Sequence, residues 1–263
     1  MDGLTISPYL LVALFFTVAF VYSSVGLGGG SSYTALMAIA GVSYVAIPTI
    51  SLTLNLFVTS AGSFNFIRKK HARLNLILPF FIGSIPMSYL GGSLKLPREV
   101  FYWILLISLV FVAIRIYVVK NTSLNIRIRN TQKIILSLIA GCVLGFVAGT
   151  VGIGGGIYLV PLIIILGLGT PKEAAACGAV FIWVNSLSGL IARVQYHIVD
   201  PTPFLQLIAA VIIGGFLGSF IGASKLSSKT MEKWLGGIII VAILFLIKEV
   251  SLYSLGFYNS KIF

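Results

Sequence analysis

The sequence predicts an all-α integral membrane protein made of two inverted repeats of about five hydrophobic segments each, with a short broken or re-entrant helix after a glycine-rich break in each half. Three observations lead there: a shortage of charge, a duplicated set of glycine and tryptophan positions, and a basic bias between loops. Of 263 residues, 58% are hydrophobic and 9% charged, and the mean hydropathy is +1.08. A soluble domain carries about 25% charged residues. A chain this poor in charge cannot cover itself against water, whereas a lipid-facing exterior may be as apolar as the core.

Hydrophobic segments fall at about 8–25, 31–41, 44–67, 74–94, 99–119, 133–151, 156–168, 172–195, 203–224 and 231–251. A helix needs roughly 20 residues to cross about 30 Å of hydrocarbon. The second and seventh segments are too short for that, and each follows directly on a glycine cluster. The N-terminal stretch, MDGLTISPYLL, lacks a basic n-region and is expected to open the first helix rather than to act as a cleaved leader.

Segments one to five match segments six to ten. Val25-Gly26-Leu27-Gly28-Gly29-Gly30 matches Val151-Gly152-Ile153-Gly154-Gly155-Gly156, and Gly41 matches Gly167 at the same offset of 126. Thr59 and Gly62 match Ser186 and Gly189. Gly83, Gly91, Ser93 and Trp103 match Gly214, Gly222, Ser224 and Trp234, now at an offset of 131. A chance glycine cluster would not bring a matching tryptophan with it. The repeats are expected to occupy 1–125 and 126–263 within one compact membrane domain.

The net charge of +12 does not signal nucleic acid, because the basic residues sit in connections between hydrophobic runs. Arg68, Lys69, Lys70 and Arg73 crowd one connection, Lys120, Arg127, Arg129 and Lys133 a second, and Lys225, Lys229 and Lys233 a third. With these inside and the segments alternating, Arg115 and Lys172 fall inside too, so thirteen basic residues lie inside and five outside: Lys95, Arg98, Arg193, Lys248 and Lys261. Inside loops carry the Lys and Arg excess, so a multi-pass protein of the cell membrane with both termini outside is expected. Each half then has odd parity, and odd halves in one chain must be inverted. Inverted repeats around broken helices are a design of secondary transporters, with the solute near midplane at the repeat interface.

The glycine clusters are the first candidate site. Broken backbone survives at membrane depth only where protein or a water-filled cavity satisfies it. The short helix after each break would turn free N–H groups and a positive dipole end toward it, which suits an anion. Close helix packing through small residues is the competing reading. The expected contacts are Gly28, Gly29, Gly30, Ser31 and Ser32 in the first half and Gly154, Gly155 and Gly156 in the second. A polar stripe adds Asn55 and Thr59, spaced with Ser51 and Gly62 on one helical face. In the eighth segment Ser186, Gly189 and Arg193 share a face, with Asn185 beside it. Arg193 is placed at an outer vestibule, where it would neutralise the solute. Interhelical hydrogen bonding and a snorkelling arginine are the bland alternatives.

Absences narrow the chemistry. All six acids (Asp2, Glu99, Glu173, Asp200, Glu232 and Glu249) lie at segment ends or in loops, whereas cation pumps and proton relays hold carboxylates within the membrane. His71 and His197 flank loops and are expected at the interface. Cys142 and Cys177 lie in apolar stretches without metal-ligand spacing and are expected to pack as small residues. Neither cluster reads GxxxxGK[ST] or opens a βαβ unit, which argues against nucleotide binding. Thr150-Val151-Gly152-Ile153-Gly154 is similar to a potassium-channel filter, but such filters use four loops and the duplication here implies twofold symmetry. An ion channel and a membrane enzyme remain the alternatives; the enzyme lacks a nucleophile beside a base.

Gly-x-Gly-Gly-Gly near the start of each half, with the late Gly-x(7)-Gly and Trp pairs, resembles the sulfite exporter TauE/SafE family, also called the toluene-sulfonate uptake permease family. The resemblance covers Tyr9 to about Val250. It implies transport of sulfur-containing anions such as sulfite, thiosulfate or organosulfonates, by export or uptake. One departure is that Gly156-Ile157-Tyr158 stands where the first half has Gly30-Ser31-Ser32-Tyr33, so the hydroxyls are not symmetric. The expectation is a secondary transporter without catalytic residues, metal or cofactor. Its partners are a small anionic solute and the lipid bilayer, not nucleic acid, with a homo-oligomer left open.

Overall fold

The computed structural model describes residues 6–24, 27–68, 74–117 and 130–225, with 240, 243–244, 246–248 and 251 from the last hydrophobic segment. Val25 and Gly26 of the first cluster, His71, Trp234, and the basic loop residues Lys69, Lys70, Arg73, Lys120, Arg127, Arg129, Lys229 and Lys233 lie outside the described residues, as do Asp2, Glu232, Glu249 and Lys261. The chain is all-helical among the described residues: α1 (Pro8–Ser24), α2 (Gly30–Ile39), α3 (Ala46–Arg68), α4 (Leu74–Ser93), α5 (Arg98–Tyr117), α6 (Asn130–Val151), α7 (Gly156–Ile165), α8 (Pro171–Tyr196) and, after a 3₁₀ turn at Thr202–Phe204, α9 (Leu205–Lys225). These correspond one to one with the first nine predicted segments.

The exterior is apolar, and a set of polar side chains lies inside an otherwise hydrophobic core. Ile82, Phe111, Val194 and Phe216 are each more than 60% exposed, while Ser51, Asn55, Thr59, Ser88, Asn185 and Ser186 are buried. In water such a surface would aggregate; against lipid it has no cost. The stretches Asn75–Ser93, Thr131–Val151 and Glu173–Tyr196 are long and apolar enough to cross a membrane on length and composition alone. The chain is a multi-pass membrane protein on these grounds. By contrast α2 and α7 have 10 residues each, about 15 Å at 1.5 Å per residue, half the hydrocarbon thickness.

The two short helices end in the same way. After α2 the Gly41 N–H donates to the Ala38 carbonyl and the Val42 N–H to that of Met37. After α7 the Gly167 N–H donates to Ile164 and the Leu168 N–H to Ile163. Both are Schellman closures, which need a left-handed residue at the turn, and Gly41 and Gly167 supply it with φ of 78° and 59°.

Packing joins the halves pairwise. The most extensive contacts are α4 on α6 and α1 on α9. On α6, Gly141, Gly145 and Gly149 are spaced four apart. A Cβ built on any of them would run into the backbone carbonyl of Phe80, Ser84 or Ser88 in turn. Both series rise together, so α4 and α6 are parallel. On the other side Gly214 and Gly218 sit against the carbonyls of Phe16 and Phe20 of α1, again in parallel. Small residues let helix backbones approach in lipid, where no hydrophobic force pulls helices together. Between these pairs α3 crosses α8 in the opposite sense: Trp183 Nε1 donates to Ser60 Oγ at 3.0 Å, while Leu52 packs near Gly189. At the start of α8, Thr170 and Glu173 form a reciprocal capping box with Pro171 in the first turn, so Glu173 is engaged structurally.

The interlock predicts that Gly145→Val, with branched bulk against the Ser84 carbonyl, costs about 1–3 kcal/mol as overpacking does. Gly167→Ala meets nothing within 4 Å and should cost only the left-handed strain, about 1 kcal/mol. Thermal melts of the two variants in neutral detergent should rank Gly145→Val as the less stable; the reverse order would remove the interlock as a determinant of stability.

Candidate functional site at the meeting of the two helix breaks

The broken backbones of the two halves meet beside the α3–α8 crossing. Gly28, Gly30 and Gly154 all approach Asn55: a Cβ at Gly28 would lie 2.9 Å from Asn55 Oδ1, at Gly30 2.6 Å from Asn55 Nδ2, and at Gly154 2.9 Å from Nδ2. Gly28, Gly154 and Gly156 also close on the Ile182 side chain. Asn55 and Ile182 occupy equivalent positions in the two halves, offset by 127 as Thr59 and Ser186 are. The two motifs therefore share one centre, polar on the α3 side and apolar on the α8 side. The second break is wound by positive φ at Gly152, Gly154 and Gly155 (85°, 82° and 74°), which residues with a Cβ adopt only under strain.

Side chains of α3 hold this backbone. Ser51 Oγ donates to the Gly152 carbonyl at 2.7 Å and lies 3.4 Å from that of Gly30. Asn55 Nδ2 donates to the same Gly152 carbonyl at 3.2 Å. Because a carbonyl only accepts, this bond fixes the orientation of the amide and turns Oδ1 away. Asn55 Oδ1 then has no protein partner although Asn55 is fully buried. Asn185 Oδ1 and Ser186 Oγ are likewise buried without partners. Buried polar atoms normally have one, so Asn55 Oδ1, which stands against Gly28, is a place for water or solute. The helices that begin here are uncapped: neither Gly29 before α2 nor Gly155 before α7 provides a side-chain cap, leaving first-turn N–H groups without intrahelical acceptors.

The other expected residues divide. The Ser31 and Ser32 hydroxyls both bond Tyr22 Oη of α1, at 3.2 and 3.1 Å, so they are engaged away from Asn55. Thr59 Oγ1 donates back to the Asn55 carbonyl at 2.7 Å. Gly29 packs under the Tyr33 ring. Asn185 Nδ2 donates to Phe181 O within α8, while the Asn185 backbone carbonyl accepts from Ser88 Oγ of α4. Ile182, Ser186, Gly189 and Arg193 follow at helical spacing on one face of α8, and Arg193 stands about 16 Å along the axis from Ile182 at 1.5 Å per residue. Arg193 is only 3% exposed, deeper than a solvated vestibule would put it. Its Nη2 donates to the Thr150 carbonyl at 2.7 Å, at the C-terminal end of α6, where a cation faces the negative end of the helix dipole. The spacing of Ser51 from Asn55 places it on the same face, yet only the structure shows it as a contact: it bonds the Gly152 carbonyl and lies near that of Gly30, so it stands against both breaks.

A cavity of about 560 Å³ opens beyond Arg193, lined by Tyr44, Leu94–Leu96, Phe101 and Arg193–Ile198. His197 also faces it. Its Nε2 is 3.1 Å from the Gly92 carbonyl of α4 and donates to it. Burial holds its imidazole below the usual range, with the charges of Arg193 and Lys95 acting the same way and bonds to the Gly92 and Leu94 backbone opposing.

An apolar exterior, buried polar side chains on α3 and α8 and two interrupted helices converging inside fit the class of multi-helix membrane transporters. The particular family follows from comparison: residues 11–246 match the sulfite exporter TauE/SafE family model, and the chain belongs to that family. It is 36% identical over 234 residues to a probable membrane transporter protein, y4hK, of Sinorhizobium fredii, covering 88% of this chain and 95% of that one. It is 28% identical over 249 residues to a probable membrane transporter protein, YunE, of Bacillus subtilis, covering 84% of this chain and 90% of the other. No solved structure matches it.

Because Ser51 and Asn55 share the Gly152 carbonyl, each is a reserve for the other. Ser51→Ala or Asn55→Ala alone should cost about 1 kcal/mol. The double variant should lose more than the sum, by about 1 kcal/mol or above, since only then is that carbonyl orphaned. Additive melting shifts would show that the two bonds do not compete for one acceptor.

Proposed function

We propose that the protein is a secondary transporter of small anions, sulfur oxyanions or organosulfonates, working by alternating access at the interface of two inverted repeats. The observation that carries the reading is the convergence of two uncapped helix N-termini on Asn55, with buried unpartnered polar atoms on α3 and α8. Each dipole end amounts to roughly half a positive charge, so two together offset about one negative charge on a solute without any formal charge in the protein. The N–H groups of Gly30, Ser31 and Ser32 and of Gly156 would donate to the oxyanion, with Gly28, Gly29, Gly154 and Gly155 allowing its close approach. Asn55, Thr59, Asn185 and Ser186 would line the polar wall, with Arg193 on the route in.

Inversion of repeats 1–125 and 126–263 is supported by the opposite run of the equivalent helices α3 and α8, and by the parallel pairs α4–α6 and α1–α9, which exchange under the repeat. Alternating access follows if the pairs rock about the α3–α8 crossing. The basic bias of the loops supports a cell-membrane protein with both termini outside. Membership of a transporter family points away from an enzyme. The filter-like segment favours a channel less, because the Gly152 carbonyl is held by Ser51 and Asn55 where a filter would turn it to the ion.

Single cysteines at Ser93 and Asn259 should label from outside the cell, and ones at Asn75 and Ser228 only after permeabilisation. Labelling of Ser93 and Asn75 positions from the same side would end the inverted topology. In proteoliposomes, labelled sulfite or sulfonate should cross, other oxyanions should compete, and rubidium should not pass. Asn55→Ala should abolish sulfite flux while the protein stays folded. Rubidium flux without anion flux would replace the transporter with a channel.

A further inference from the structure

The cavity beyond Arg193 has chemistry of its own. Its lining includes Lys95, Arg193 and His197 and, among the described residues, no carboxylate. Lys95 is exposed at the rim. At the base, Arg193 is anchored by Nη2 to Thr150, but its Nε is buried and has no protein partner. His197, one helical turn on, caps α4 through Gly92 as Arg193 caps α6. The two basic groups at the end of α8 thus already satisfy the carbonyls nearest them, leaving the Arg193 Nε–H and the Lys95 ammonium uncommitted to any acid of the wall. An unpaired donor on a buried cation is costly, and a cavity of about 560 Å³ holds a small oxyanion with part of its water.

We propose that this cavity is a second anion site, separate from the helix breaks, which takes a small inorganic oxyanion between the Lys95 ammonium and the Arg193 Nε–H. The oxyanion would accept from Nε while Nη2 keeps its hold on Thr150, a division of labour that the planar guanidinium fork allows and an ammonium does not. Thr150 lies two residues before Gly152, so an anion held by Arg193 sits at the end of the backbone that leads into the second break. Its role as an entry site rests on the anion-transport reading above; its binding of an anion does not. A lipid phosphate offers the same chemistry as a free solute, and the test separates them.

The probe is radiolabelled sulfite, bound at equilibrium to the purified full-length chain in neutral detergent at low and high salt. Lys95→Gln removes an exposed charge and should fold normally. It should weaken sulfite binding by up to about fivefold at low ionic strength, the range for one solvated ion pair. The effect should shrink at high salt as the Debye length shortens. Arg193→Lys keeps the charge but loses the fork, and should weaken binding at both salt concentrations. Asn55→Ala should retain the Lys95-dependent, salt-sensitive component, which distinguishes this cavity from the central site. Unchanged affinity in Lys95→Gln at both salts overturns the proposal. So does an equal loss in Arg98→Gln, whose guanidinium lies 5.6 Å over the Tyr102 ring and is not among the cavity wall, since the effect is then a general field. Sulfite binding that is lost in phosphatidylglycerol nanodiscs and present in phosphatidylcholine ones assigns the site to a lipid headgroup and overturns the entry role. If Asn55→Ala instead binds and transports as wild type while the Lys95 effect persists, the central reading fails and this one stands.

Discussion

Backbone broken within hydrocarbon must find its hydrogen bonds inside the protein, and the rest of this structure is arranged around that constraint. Each unsatisfied group there costs several kcal/mol. The answer is local and economical: Ser51 and Asn55, one turn apart on α3, reach the Gly152 carbonyl together, and Ser51 lies near Gly30 as well. One helix of the first half thereby supports the break of the second. The two breaks cannot be separate modules, because the same two side chains stand against both.

That arrangement needs the flanking helices very close. Gly141, Gly145 and Gly149 on α6 and Gly214 and Gly218 on α9 remove the side chains that would hold α4 and α1 away. The bundle is assembled by backbone-to-backbone contact in two equivalent pairs, with the antiparallel α3–α8 crossing between them. Apolar residues face lipid as well as the core, and most hydroxyls and amides of α3 and α8 are turned inward. The exterior thus departs from the soluble pattern while the core keeps it, and Ser51 and Asn55 bring hydrogen-bonding capacity to the breaks.

The electrostatics divide by depth. Around the breaks the described side chains of α3 and α8 are neutral: Ser51, Asn55, Thr59, Asn185 and Ser186, beside the two helix N-termini. About 16 Å along α8 from Ile182, by its 1.5 Å rise, stands the cationic Arg193, with Lys95 on the same cavity wall. Full charges suit attraction of a hydrated ion from water, while partial charges hold it without the desolvation penalty a buried ion would bring. The two halves are unequal at the centre, where Asn55 faces Ile182, so a solute would be oriented by one wall rather than shared equally by both.

Much of this architecture was legible in the sequence, because it rests on properties that act one residue at a time. Charge content decided for lipid over water, and segment length separated α2 and α7 from spanning helices. Glycine placement marked the breaks, and Gly41 and Gly167 marked the ends of the short helices, since only a residue free of Cβ turns left-handed there without strain. The glycines of the candidate site and the Asn55 and Thr59 stripe were also readable, from cluster and period. What the tertiary structure alone decided is partnership. Spacing places Ser31 and Ser32 after the break, but only packing gives their hydroxyls to Tyr22 of α1. Spacing places Arg193 at a helix end, but only the approach of α6 buries it against Thr150. Ser51, Ile182 and His197 gained their roles from neighbours distant in sequence, and no local pattern encodes which helix comes to lie beside which.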